Sequence, residues 1–290
     1  MNTDTPFDFE VSLPGKWVLS GEHAVLRGAP AVALPHPTVG LRLKFERDQS
    51  DNPGLKVEPR EVQLVIQNLI RRAFELAQIP FDELFVRGKL TLASSIPMGA
   101  GLGSSAALCV AITRWLAPTL KIAVENEIQF ATQLEHIFHG NSSGMDVAVI
   151  ASGRPVRFVR GEAPSPLRIS SLPKFTFHDT GLRSKTSDCV KQVTDLHESN
   201  AELAIQADRR MNRASQQIAD ALYLYDHGKR DQGLKQLASG MFAAQQCFED
   251  WGLVPDSVRV MIQNLMDQGA LAVKLTGAGA GGMLVALWGE

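Results

Sequence analysis

The stretch Ile96 to Trp115, IPMGAGLGSSAALCVAITRW, sets three glycines and two serines between a predicted strand and an unbroken run of small and apolar residues with helical character. Such a chain must turn closely after a strand and then start a helix. Gly99, Gly101 and Gly103 permit backbone conformations that a Cβ disfavours, and the helix start offers unpaired N–H groups and positive dipole charge. An anion is the natural guest, so the segment reads as a phosphate-binding loop. It is not a Walker loop, because Ser104 and Ser105 follow Gly103 with no lysine. The third glycine of a dinucleotide fingerprint is missing. A hydrolase elbow, G-x-S-x-G, fails at Ala107. A glycine-rich turn with no ligand stays open on these residues alone.

Charge and cysteine usage narrow the classes. The 290 residues carry 29 Lys plus Arg against 31 Asp plus Glu, a net charge of −2, which offers no global attraction for nucleic acid or an anionic membrane. Any anion must be bound locally. Cys109, Cys189 and Cys247 are odd in number and in no metal-type spacing, as expected of buried, reduced thiols. The start, MNTDTPFDFEVSLPGK, has no basic region followed by an apolar run, and no segment approaches the roughly 18 apolar residues of a membrane span. The chain reads as a soluble cytoplasmic protein with no nucleic-acid or membrane partner.

Periodicity outlines the architecture. Phe7 to Leu13, Val39 to Phe45 and Leu84 to Leu92 read as strands, and Val62 to Ala77 has the spacing of a helix with one buried face. After Gly153 the texture changes: short strands at Val156 to Val159 and Lys174 to His178 precede helical stretches from Ser187 to Tyr225 and Asp231 to Phe248. Pro255 opens a further helix to Gln268, and the chain closes as Ala270 to Leu275, a TGAGAGG turn, and Met283 to Trp288. A boundary near residue 165 divides the chain into 1–165 and 166–290.

The glycine loop is the middle one of three motifs. The first is LPGKWVLSGEHAVLRGAPAVALP, Leu13 to Pro35, and the third is KLTGAGAGG, Lys274 to Gly282. With these three in order, the chain resembles the GHMP small-molecule kinases over nearly its whole length. Within them it is most similar to the mevalonate kinase branch, through Pro14, Gly15, Lys16 and GEHAV at Gly21 to Val25, through HGNSSGMD at His139 to Asp146, and through TGLRSKTSDCV at Thr180 to Val190. It departs from that pattern at Met98 and Ser142, where proline is common, and at Ala280, which interrupts a glycine run.

The resemblance implies an α+β fold of two domains, ribosomal-protein-like over 1–165 and ferredoxin-like over 166–290, with an active site in the cleft between them. It implies ATP-dependent phosphorylation of the primary hydroxyl of mevalonate to 5-phosphomevalonate, an isoprenoid precursor, with Mg²⁺ as cofactor. Gly99, Ala100, Gly101, Leu102, Gly103, Ser104 and Ser105 would cradle the nucleotide phosphates, and Ser105 and Glu135, eleven residues before Asp146, would hold the metal. Asp146 would accept or orient the alcohol proton, with Lys16 stabilising developing charge. Lys16, Glu22, His23, Asp146 and Thr186 would bind the substrate. A homodimer is left open. Taken singly, Ser105 or Asp146 would be a helix cap, Glu135 a solvated helix glutamate, Lys16 a surface charge and His23 structural. Other readings are a GHMP kinase for phosphomevalonate, a sugar or homoserine, a serine hydrolase using Ser105, Asp146 and His178, and a non-catalytic relative, which would often lose the lysine and aspartate.

Overall fold

The structure is a computed structural model, and it describes residues 8–48, 54–139 and 142–289, with the side chain of His139 excepted. In chain order its elements are β1 (Phe9–Ser20), β2 (Ala31–Arg47), β3 (Leu55–Glu58), α1 (Gln63–Leu76), β4 (Gly88–Ser94) and α2 (Ser104–Leu120). There follow α3 (Glu127–His139), α4 (Met145–Ser152), β5 (Val156–Phe158), β6 (Ser165–Pro166), β7 (Phe175–Asp179) and α5 (Thr186–Ser199). The chain ends with α6 (Ala201–Asp226), α7 (Arg230–Asp250), α8 (Asp256–Asp267), β8 (Ala272–Thr276) and β9 (Met283–Leu287).

Two compact units emerge, and their segments interleave. One comprises the described residues of 1–15, 36–96 and 103–153; the other comprises 16–35, 97–102 and those of 154–290. The division between these units crosses the chain more than once. It falls inside β1, inside β2 and within the glycine loop, between Leu102 and Gly103.

In the first unit, β2 pairs antiparallel with β4, Leu41 opposite Ser94 through Arg47 opposite Gly88, and β3 lies parallel on β4. The apolar face of α1 buries Ile66, Leu69, Ile70 and Phe74, and α2 buries nearly everything from Ala106 to Leu116. That helix is apolar all round because α1, α3 and α4 pack on it. Phe45 and Trp115 meet with ring centroids 4.7 Å apart.

In the second unit, the start of β2 pairs with β5, Ala31 opposite Phe158, and β7 and β8 flank β9 in an antiparallel three-stranded sheet. Met211, Ala244, Phe248, Trp251, Val258, Leu275 and Leu284 belong to the core that joins this sheet to the helices. No described helix is long and apolar enough to cross a membrane.

Several expectations shift. Phe7 lies outside the described residues. The strand expected over Leu84 to Leu92 starts only at Gly88; a 3-10 turn occupies Glu83–Val86, because the Asp82 side chain accepts from Leu84 N at 2.9 Å and caps it. The helix expected over Ser187 to Tyr225 is two helices broken at Asn200, whose side chain accepts from Leu203 N at 3.2 Å and starts α6. Pro255 is the extended N-cap of α8 rather than its first residue.

Candidate active site

The three motifs meet inside the second unit, largely through backbone. Lys16 N donates to Leu102 O at 3.0 Å, which ties the first motif to the glycine loop. Gly277 of the third motif lies so close to the loop that a Cβ on it would stand 3.3 Å from Gly101 Cα, and one on Gly282 would stand 3.1 Å from Ala100 O. These glycines are the condition for that approach. Val18 N donates to Thr276 Oγ1 at 2.8 Å, closing the link between first and third motifs. Gly21 admits no side chain at all, since a Cβ would fall 2.3 Å from Ala31 Cα. Ala280 stands in the left-handed region at φ 55, a conformation that costs an alanine about 1–2 kcal/mol and explains why glycine is usual there.

Glu22 and Lys274 form a buried ion pair, Nζ to Oε1 at 2.5 Å, both almost without solvent exposure. The Lys274 ammonium also donates to the carbonyls of Leu275 and, at 3.4 Å, Val18, and lies 5.3 Å from the Phe248 ring centroid. Burial pushes the Glu22 carboxyl up and the Lys274 ammonium down, and their mutual attraction works against both shifts; Lys16 adds a smaller pull on Glu22. Glu22 Oε2 is buried with no hydrogen-bond partner among the described residues. His23, at φ 55, places Nε2 2.7 Å from Ala278 O and donates to it. Its ring also packs edge-on against Trp251 and Phe248. Burial holds its pKa at about 4, so the ring is neutral at pH 7.

Thr186 is the exposed first residue of α5, whereas its neighbours Ser184 and Cys189 direct their side chains to Gly279 O, at 2.7 and 3.6 Å. The second unit thus holds Lys16, Glu22, His23, Thr186 and the loop residues Gly99, Ala100, Gly101 and Leu102.

The first unit holds Gly103, Ser104, Ser105, Glu135 and Asp146. Gly103, left-handed at φ 78, is the N-cap of α2, so Ser105 is not a cap; its Oγ lies 3.4 Å from Glu135 Oε1. Glu135, on α3, is 2% exposed and is therefore no solvated helix glutamate. Ser142 donates to its other oxygen, Oε2, at 2.5 Å. The Cys109 thiol, one turn beyond Ser105, is pushed well up, chiefly by burial and further by the negative charge of Glu135. Asp146 sits half-buried in the first turn of α4 behind the N-cap Gly144, not at the cap itself; there the helix dipole favours a carboxylate. Gly140 and Asn141 of the same segment lie outside the described residues.

Among the described residues no group of three or more His, Cys, Asp or Glu could hold a metal. A nucleotide-bound Mg²⁺ does not need one, because it takes one or two protein oxygens and completes its octahedron with phosphate and water. Ser105 and Glu135 fit that demand in kind: both offer hard oxygens, the carboxylate is buried, and the two oxygens lie 3.4 Å apart. Of the residues of the hydrolase reading, Ser105 Oγ is engaged with Glu135, and His178 Nε2 with Thr176 Oγ1 at 2.8 Å.

Sequence reasoning missed Ser142 and Lys274. Ser142 is noted above only as a departure from proline; for Lys274 the signal that could have found it is a lysine inside the apolar run LAVKLT.

Residues 68–154 match the family model for the GHMP kinases N terminal domain, and residues 219–288 match that for GHMP kinases C terminal. The mevalonate kinase of Aeropyrum pernix is 29% identical over 306 residues, covering 96% of this chain and 88% of the relative. In fold, the chain is similar to L. major mevalonate kinase in complex with R-mevalonate, with TM-score 0.81, 21% identity and coverage of 99% and 89% of the two chains. Lactococcus lactis galactokinase complexed with galactose also matches, with TM-score 0.75, 17% identity and coverage of 99% and 87%, so the fold is common to kinases of different acceptors. The chain belongs to the GHMP kinase family.

Proposed function

We propose that this protein is an ATP-dependent mevalonate kinase, transferring the γ-phosphoryl group of ATP to the primary hydroxyl of mevalonate and releasing 5-phosphomevalonate and ADP. The reaction class rests on one observation: a buried Glu135 carboxylate meets the Ser105 hydroxyl in the first turn of the helix that follows the glycine loop. The acceptor rests on GEHAV and HGNSSGMD and on near-full-length similarity to proteins of that name.

The loop from Gly99 to Ser104, with Gly99, Gly101 and Gly103 all at positive φ, presents N–H groups to the phosphates. Ser105 and Glu135 would hold Mg²⁺, which when bound would supply positive charge beside the phosphates. Asp146 takes or orients the proton of the mevalonate hydroxyl, and the Lys16 ammonium stabilises negative charge on the transferring group. His23 is neutral, so it can serve mevalonate only as a neutral hydrogen-bonding wall, while its Nε2 braces the third motif. Glu22 acts through Lys274 and the shape of the first motif, and Thr186 offers an exposed hydroxyl to the carboxylate end of the acceptor. A division near 165 into N- and C-terminal family domains is supported by the two family matches, which end at 154 and resume at 219. Dependence on ATP and Mg²⁺ suits a cytoplasmic location.

The test is product identity. Incubation with ATP, Mg²⁺ and mevalonate should yield ADP and 5-phosphomevalonate in equal amounts by mass spectrometry. ADP release without a phosphorylated acceptor, or no release above background, overturns the proposal.

A further inference from the structure

Ser142 stands where similar kinases commonly carry proline, and its one hydroxyl makes two bonds. Oγ donates to Glu135 Oε2 at 2.5 Å, at the short end of the range for a hydroxyl on a carboxylate. The same oxygen accepts from Gly144 N at 3.1 Å. Gly144 is the left-handed residue that opens α4, two positions before Asp146. The turn has little freedom on its far side, since a Cβ at Gly144 would stand 3.1 Å from Thr132 Oγ1 on α3. A single hydroxyl, donating once and accepting once, therefore joins the Glu135 carboxylate to the turn that delivers Asp146.

We infer that Ser142 is a positioning residue for the metal carboxylate: it fixes Oε2, leaves Oε1 directed at Ser105, and ties that carboxylate to the Asp146 turn. The terminal torsion of a glutamate is soft, and a short charge-assisted bond to one oxygen removes that rotation. A proline at 142 would stiffen the backbone through its ring but could not reach the carboxylate with a donor. The hydroxyl here replaces ring stiffness by a bond to the group that binds the ion, the kind of outer contact whose loss weakens metal binding. The inference rests on the reading of Glu135 as a metal ligand.

The experiment measures affinity for a non-hydrolysable ATP analogue by calorimetry, with and without Mg²⁺, in wild type, Ser142→Ala, Ser142→Thr and Glu135→Gln. Ser142→Ala should reduce the strengthening that Mg²⁺ gives by about tenfold, leave the metal-free affinity and the melting temperature near wild type, and be rescued by Ser142→Thr. If Glu135→Gln loses the Mg²⁺ effect while Ser142→Ala keeps it within about twofold, Ser142 has no such role and the metal reading stands. If Glu135→Gln also keeps it, the metal reading fails and this inference with it. A Ser142→Ala protein that loses metal-free affinity equally has a general defect, which also overturns the inference.

Discussion

Two buried carboxylates sit in the two units, and their partners differ. Glu135, in the unit of α2 and α3, is met by the hydroxyls of Ser105 and Ser142. Glu22, in the unit of β8 and β9, is met by the ammonium of Lys274, which is itself fully buried. The hydroxyls meet Glu135 as neutral hydrogen-bond donors, whereas the Lys274 ammonium meets Glu22 as a counter-charge that ties one strand and one loop together. On the proposed reading, motif residues that look equivalent as letters do two kinds of work: chemistry around Glu135 and Asp146, architecture around Glu22, His23 and Lys274.

The comparison breaks first at Asp146. Asp146→Asn should lower kcat by ~10²–10⁴-fold while leaving ATP affinity and melting temperature close to wild type. A variant that turns over normally removes Asp146 from the mechanism, and one that melts early makes it architectural. At the other carboxylate the opposite is expected. Lys274→Met leaves Glu22 buried and uncompensated and should cost about 3–5 kcal/mol of stability in denaturant melts, much of it recovered when Glu22→Gln is added. Unchanged stability in Lys274→Met would show that the pair is not structural.

His23 sharpens the same contrast through pH. Its folded pKa is about 4 against an ordinary 6.5, so between these values the unfolded chain binds a proton that the folded chain refuses. Its contribution is complete above about pH 6.5 and is lost as pH falls toward 4, on the order of 3 kcal/mol in all. His23→Gln does not titrate and should flatten that part of the stability profile; a profile that still falls as in wild type assigns the loss to other groups. The smallest effect is at the metal. Glu135→Gln and Ser105→Ala should each raise the Mg²⁺ concentration for half-maximal rate by about tenfold or more, each losing a hard oxygen. Two unchanged titrations would make Glu135 as architectural as Glu22.

Much of this was legible in the letters, for reasons that are local. Glycine loops, small-residue helices and amphipathic spacing are read from neighbours in sequence, so the glycine loop, α1, α2 and the terminal glycine turn were all expected where they lie. The pairing of Ser105 with Glu135 was expected from resemblance, and the structure brings the two together. What could not be read depends on distant partners. Glu22 meets a lysine 252 positions away, and His23 a carbonyl 255 positions away. Nothing adjacent to either residue encodes that meeting. The interleaving of the two units is likewise set by long-range contacts. Local capping defeated the strand expected from Leu84, because Asp82 turns the chain before the alternation can take hold. Ser142 was visible only as a missing proline; its task appeared once Glu135 Oε2 was placed beside it.

The most direct test of the whole account is a comparison of kcat/KM for mevalonate, phosphomevalonate, galactose and homoserine, each with saturating ATP and Mg²⁺ and with ADP release as the signal. Buried polar groups discriminate strongly against an acceptor that leaves them unpaired, so mevalonate should lead by a factor of ~10² or more. If another acceptor leads, the family and the metal site stand but mevalonate is not the substrate; if none releases ADP above background, the phosphoryl-transfer account is contradicted.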